Sequence, residues 1–187
     1  GCPYAEGGAL GGTVYLMDTR KDEYVTIRNT EGMPVKIQYL TNAEVLVLYD
    51  TYAAVYDTAD GTELYRYSYG GRTLQSAAIS AGKNAVLLFG DGVHGALTQL
   101  TIRDATLSEA GSADVNERAS GVAASRTGAF VLTNDGVLSY GLDGVFYGAT
   151  VTEAKPLAMV NGRKLLLLEQ GEVSVFEPPA PPSASVG

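Results

Sequence analysis

The chain predicts an all-β fold of β-propeller-like kind: about four four-stranded antiparallel blades, forming either a small closed ring or an arc of a larger propeller. Three observations carry the prediction. A hairpin unit repeats, Val14-Tyr-Leu-Met-Asp18 into Tyr24-Val-Thr-Ile-Arg28, then Ala54-Val-Tyr-Asp57 into Glu63-Leu-Tyr-Arg-Tyr67. Such a unit has apolar faces it cannot bury alone, so its copies must stack. The most apolar segments, Val45-Leu-Val-Leu-Tyr49, Ala85-Val-Leu-Leu-Phe89, Ala129-Phe-Val-Leu-Thr133 and Lys164-Leu-Leu-Leu-Leu168, start about 40, 44 and 35 residues apart, the interval of one four-stranded sheet per repeat. Short segments rich in Val, Ile, Leu, Tyr and Thr alternate with Gly, Asn and Asp throughout, which is strand-and-turn composition. The best helical candidate is Ser108–Ala119, and Gly111 weakens it.

In chain order, residues 1–12 read as an N-terminal extension and 13–177 as the propeller domain or segment. Residues 13–34 supply a partial blade with a third and an outer strand (13–17 and 24–28). Residues 35–72, 73–118 and 119–150 each supply four strands, with the outer strand of the second of these placed at Ala105–Ser108. Residues 151–177 supply a last partial blade, giving seventeen strands in all. Continuous apolar runs mark strands covered on both faces. Small side chains, Ser76, Ala77, Ala78 and Ser80 in one blade and Ala119, Ala123, Ala124 and Ser125 in the next, suit crowded inner strands. In the outer segment Leu64-Tyr-Arg-Tyr-Ser-Tyr69, the rings of Tyr65, Tyr67 and Tyr69 share one face, and Arg28 and Arg66 discourage edge-to-edge pairing. Residues 178–187, with four prolines, read as a disordered tail or linker.

Composition sets the bounds on function. The 187 residues are 45% apolar, enough to fill a core. A net charge of −8 repels phosphate backbones, so no nucleic-acid partner is expected. No segment approaches the ~18 consecutive apolar residues of a membrane-crossing helix. Cys2 is the sole cysteine, which excludes an internal disulfide. Its position matches the lipidated residue of a processed lipoprotein, the alternative being an arbitrary start to the chain.

The segment Ala53-Ala-Val-Tyr-Asp-Thr-Ala-Asp-Gly-Thr-Glu-Leu-Tyr-Arg-Tyr67 resembles the third-to-fourth-strand hairpin of PQQ-like and WD-like β-propeller repeats, with Asp57, Gly61 and Tyr65 in the matching places. The earlier copy has Asp22 near the expected glycine; the later one keeps the turn in Gly141-Leu-Asp-Gly144 before Val145-Phe-Tyr147. The resemblance implies an uncharacterised bacterial extracytoplasmic propeller. Quinone-dependent dehydrogenases of that family carry a docking tryptophan, and this chain has no Trp, so neither a quinone cofactor nor their oxidoreductase activity is expected.

No catalytic residue, metal site or cofactor stands out. His94 is the only histidine; Asp91 is its one nearby carboxylate, and the pair flanks a turn. One His and one Cys cannot make a zinc site. Asp50, Asp57, Asp60 and Glu63 lack the alternating oxygens of a calcium loop. Asp57, Asp60, Gly61, Asp143 and Gly144 read as structural turn residues. Among the 12 tyrosines, Tyr39, Tyr49, Tyr52 and Tyr56 are expected to fill space between blades. Tyr65, Tyr67 and Tyr69 are the candidate binding residues. The function expected is a non-catalytic extracytoplasmic scaffold or binding module presenting loops to a protein, peptide or glycan. The alternatives are a glycan-active hydrolase or lyase using loop Asp and Glu residues, and a purely structural segment of a larger propeller, with a homodimer expected if the ring is incomplete.

Overall fold

The computed structural model describes residues 2–6, 9–18, 21, 23–29, 31–90, 98–152, 155–160, 164–169, 171–177 and 179. Every regular element among them is a strand: β1 (Cys2–Glu6), β2 (Ala9–Asp18), β3 (Glu23–Asn29), β4 (Pro34–Tyr39), β5 (Glu44–Tyr49), β6 (Tyr52–Asp57), β7 (Glu63–Ser68), β8 (Leu74–Ile79) and β9 (Ala85–Phe89). The series continues with β10 (Thr98–Arg103), β11 (Glu109–Val115), β12 (Ala119–Ala124), β13 (Gly128–Thr133), β14 (Gly136–Gly141), β15 (Phe146–Val151), β16 (Lys155–Val160), β17 (Lys164–Glu169) and β18 (Glu172–Phe176). They form five antiparallel meanders: β4 to β7, β8 to β11 and β12 to β15 have four strands each, while β1 to β3 and β16 to β18 have three. Two compact units result, Gly1–Thr73 with Ala105–Ser108, and Leu74–Asp104 with Glu109–Gly187.

The all-β reading holds, with three local differences. Cys2–Glu6, read as extension, pairs with the first half of β2 as far as Thr13. Ala105–Ser108 is turn and loop, with Leu107 at φ 61°, and the outer strand of that meander lies further on, at Glu109–Val115. The helical candidate is therefore mostly β11. Ladder bonds to β10 override its weak intrinsic strand preference. Gly111 is needed for a different reason than flexibility: a β-carbon there would overlap the Asp143 backbone. Gly1, Asp22, Asp91, His94 and the tail apart from Pro179 lie outside the described residues.

Burial follows position in the meander. In the four-stranded meanders the second and third strands are covered on both faces, fully so along β9, β13 and β14 and nearly so along β5, β6 and β10. The fourth strands β7 and β15 are largely wet. Val45, Ala85, Phe130 and Leu165 all lie on second strands, β5, β9, β13 and β17. First strands differ: β12 is nearly all buried, β8 half-buried and β4 mostly exposed.

In the first unit, Val14, Leu16 and Ile27 pack on Val45, Val47, Tyr49, Tyr52, Ala54 and Tyr56. Three of these are tyrosines, and the ring alone is apolar, so each hydroxyl needs a polar setting. Tyr49 stacks on Tyr52 with centroids 4.4 Å apart, and its hydroxyl donates to that of Tyr56 at 3.2 Å. The Arg66 guanidinium covers the Tyr52 ring at 4.1 Å. Arg66 is itself held by both carboxylate oxygens of Glu63 at 2.8 Å and by Glu31.

In the second unit, Val86, Leu88, Leu100 and Ile102 pack with Val122, Ala124, Val131 and Leu138. Small residues let β8 and β12 meet closely: Ser76 Oγ accepts from the Val122 N–H at 3.2 Å, and the Gln75 side-chain amide donates to the Ala119 carbonyl at 2.6 Å. Ala123, Phe130, Leu132 and Val137 form a further cluster with Leu165.

A hydroxyl clamp recurs where first strands turn into second. Ser80 Oγ accepts from Gly82 and Asn84 N–H, Ser125 Oγ from Thr127 and Gly128 N–H, and Thr41 Oγ1 from Ala43 N–H. These bonds satisfy turn amides that no ladder partner reaches.

Candidate functional site

Strand alternation gives the β2–β3 hairpin two different faces. Val14 pairs with Ile27 and Leu16 with Val25 on the inner face, while Tyr15, Met17 and Tyr24 occupy the other. More than half of the surface of each of these three outer side chains is open to solvent. Tyr15 and Tyr24 meet edge to face at 5.8 Å, which braces the Tyr24 ring. The ladder ends with Asp18 opposite Glu23, two like charges in a cross-strand position where repulsion is costly.

Two more turns approach this hairpin end. Tyr39 ends β4, and Asn42 lies in the turn that follows. Thr58 and Ala59 lie in the β6–β7 turn. Thr58 ties the two turns together, its N–H donating to the Ala43 carbonyl and its hydroxyl to the Asn42 carbonyl, both at 2.9 Å. The β6–β7 turn is fixed by its acids: Asp57 Oδ1 accepts from Ala59 N–H at 2.7 Å and Asp60 Oδ1 from Thr62 N–H at 2.8 Å. The Thr62 amide holds the exposed Asp60 carboxyl below its ordinary range. Gly61, at φ 77°, sits so close to β3 that a β-carbon would be 3.0 Å from Val25 Cγ1.

Together these segments enclose an open cleft of about 880 Å³ in the first unit, walled by Leu16, Met17, Tyr24, Val25 and Tyr39 and edged by Asp18, Lys21, Glu23, Asn42, Thr58 and Ala59. The volume is that of a small-molecule or oligomer site. Among the described residues its lining includes two tyrosines, two carboxylates, one ammonium, one amide and one hydroxyl. That set can stack and hydrogen-bond.

Tyr65 and Tyr67 share a face of β7, since Val55 pairs with Tyr65 and Ala53 with Tyr67, while Tyr69 follows the end of the strand at Ser68, and the three do not form one platform. Tyr65 is 40% exposed, Tyr67 is half-buried and hydrogen-bonded by Arg72, and Tyr69 is 1% exposed. Tyr49, Tyr52 and Tyr56 are interior, but Tyr39, grouped with them from sequence, is 52% exposed and lines the cleft. Asp143 Oδ1 accepts from Val145 N–H, and Gly144, at φ 83°, donates to the Gly141 carbonyl. Of Asp50, Asp57, Asp60 and Glu63, Asp50 accepts from Met33 N–H and Glu63 grips Arg66. No group of three or more His, Cys, Asp or Glu converges among the described residues.

No family model and no curated protein matches the chain. Solved structures do. BamB from Moraxella catarrhalis aligns over 71% of this chain and 41% of its own, at 18% identity and a TM-score of 0.55. A protein of unknown function from Bacteroides caccae aligns over 90% of this chain and 68% of its own, at 14% identity and a TM-score of 0.52. Hsv2 from Kluyveromyces lactis aligns over 90% of this chain and 58% of its own, at 11% identity and a TM-score of 0.61. At these identities the likeness is one of fold, and that fold is β-propeller-like. The chain spans less than half the length of BamB and under two thirds of Hsv2.

Proposed function

We propose that this chain is a non-catalytic binding module from an extracytoplasmic propeller of PQQ-like or WD-like type, and that the rim cleft of its first unit receives the partner. The observation that carries the reading is the convergence of three separate turns on two solvent-facing tyrosines, Tyr24 and Tyr39. Exposed rings in a concave setting are recognition surface, and loops on a rigid sheet scaffold are where such surface is built. The Asp57, Gly61 and Tyr65 hairpin supports the repeat type. Location outside the cytoplasm rests on the same likeness.

Glycan cleavage is the second reading, favoured by Asp18 and Glu23 facing each other at the cleft edge. A catalytic acid keeps its proton through burial; Glu23 is exposed and Asp18 half-exposed, which favours binding over chemistry.

The test is a screen of peptide, protein and glycan arrays with the wild-type chain and with Tyr24→Ala and Tyr39→Ala, each checked by circular dichroism. The expected result is a bound class whose affinity falls at least tenfold in both variants while the fold persists. Full binding in both variants, or hydrolysis of a bound glycan that stops in Glu23→Gln, overturns the reading.

A further inference from the structure

Resting on the binding-module reading, we propose that the partner is an extended peptide segment that adds as a fifth strand to the free edge of β4 and runs from there into the cleft. The register carries the inference. Leu40 N–H donates to the Glu44 carbonyl and Thr58 N–H to the Ala43 carbonyl, both at 2.9 Å. Alternate residues of an antiparallel pair exchange bonds, so Glu44 and Leu46 turn their main chains toward β4, and Val45 and Val47 turn theirs toward β6. Gln38, opposite Leu46, is held in the ladder. Ile37 and Tyr39, opposite Val47 and Val45, therefore point N–H and C=O away from β5, the one strand hydrogen-bonded to β4 among the described residues.

The second unit shows what such an edge takes up. On β12 the Val122 N–H donates to Ser76 Oγ and the Ala119 carbonyl accepts from the Gln75 amide, so β8 supplies what the ladder leaves over. On β4 the Tyr39 carbonyl takes the side-chain amide of its neighbour Gln38 at 3.3 Å, a long bond that a peptide N–H can replace.

The outward groups of Ile37 and Tyr39 recur at the two-residue repeat of a strand, ~7 Å, a spacing that another main chain matches. Ile37, 39% exposed, and Tyr39 lie on one face of β4, while Lys36 and Gln38, also exposed, lie on the other. The partner's side chains alternate likewise, apolar over Ile37 and Tyr39 and polar over Lys36 and Gln38. Pro34, which has no N–H, and the register shift between Pro34 and Lys36 end the usable edge on one side. On the other side Tyr39 walls the cleft, so the continuing residues of the peptide enter it. The far edge of the same sheet is blunted: Arg66 on β7 is ion-paired with Glu63 and Glu31, and charge on an edge discourages an added strand.

The experiment uses an array of immobilised ten-residue peptides that alternate apolar and polar residues, the strongest binder then being made in two N-methylated forms, each blocking one set of alternate amides. Wild type, Ile37→Pro, Tyr24→Ala and Tyr65→Ala are compared, with amide hydrogen exchange followed residue by residue. Proline at this edge position removes the outward N–H and leaves the β5 ladder in place, so protection of the Gln38 amide reports that the fold persists. If that protection is lost, wild-type exchange and the N-methylated peptides decide. The expected result is binding that falls at least tenfold in Ile37→Pro and in one N-methylated form but not the other, is unchanged in Tyr65→Ala, and slows exchange at Ile37 and Tyr39 at least tenfold. An array without peptide binding, equal binding by the parent and both N-methylated forms, or a bound peptide that leaves exchange at Ile37 and Tyr39 unaltered overturns the inference. Binding that Tyr24→Ala abolishes, with no slowing at Ile37, overturns the added strand and keeps the cleft. Slowing at Ile37 and Tyr39 that survives Tyr24→Ala supports the added strand and overturns the cleft as the partner's seat.

Discussion

The β4–β7 meander of the first unit and the β8–β15 pair of the second unit solve one packing problem in opposite ways. The first unit fills its interior with the rings of Tyr49, Tyr52 and Tyr56 and covers that of Tyr52 with Arg66. The second uses Ala, Ser and Gly on its first strands, so that backbones approach until side chains bond directly to the neighbouring main chain. Large rings prop sheets apart and small residues draw them in. The consequence is seen on the first strands, exposed in β4 and nearly all buried in β12. The cleft lies in the unit with the aromatic core.

Alkaline pH should separate the two units most strongly. Burial holds the Tyr52, Tyr56 and Tyr69 hydroxyls protonated above the usual phenol range. An unfolded tyrosine ionises near pH ~10. The folded-state pKa is the raised one, so the stabilisation is complete below about pH 10 and is lost as pH climbs through the folded values. In the second unit, burial raises Tyr140 and Tyr147 as well. With three such groups against two, the first unit should melt at the lower alkaline pH. Methyl resonances of Val47 and Leu88, followed against tyrosinate absorbance, read the two units separately; loss of Leu88 first would break the contrast.

The close approach in the second unit is tested by Gly111→Val, whose side chain must enter the space of the Asp143 backbone. It should cost about 3 kcal/mol in urea unfolding. Gly121→Ala is its control, because the added carbon makes an ordinary 3.5 Å contact with Leu132 Cδ1, and it should cost less than about 1 kcal/mol. Equal effects would mean that backbone proximity does not govern this unit.

The smallest effect belongs to the polar part of the aromatic core. Tyr49→Phe removes a buried hydrogen bond to Tyr56 and should lower stability by about 1 kcal/mol, leaving the Tyr49–Tyr52 stack in place. A loss of several kcal/mol in thermal melts would instead assign the ring assembly's cohesion chiefly to its hydroxyls.

Much of this organisation is legible in the chain. The continuous apolar runs announce strands covered on both faces, because alternation has no use where neither side is wet. The small residues of β8 and β12 and the Asp57 to Gly61 turn are equally readable, each being a local requirement of packing or backbone. What escaped depends on partners distant in sequence. Glu109–Val115 is a strand because β10 pairs with it, and its composition carries little sign of that. Tyr39 and Tyr24 gave no signal of their own, since exposure of a ring depends on whether a neighbouring sheet arrives to cover it. The alternation of Tyr15 and Met17 with Val14 and Leu16 was the one available hint that those aromatics point away from the core. The Ser80, Ser125 and Thr41 clamps were also visible as hydroxyl residues just after first strands, a regularity that becomes meaningful once their amide partners are known.

The seat of the Asp143–Gly144 turn against Gly111 and Ser112 also decides where the polypeptide can be lengthened. Extra residues at that turn would have to pry two main chains apart. At Gly70 and Gly71, where nothing lies within 4 Å of an added β-carbon, an inserted epitope or reporter meets no such neighbouring main chain. The scaffold thus carries its own map of tolerated and forbidden graft points.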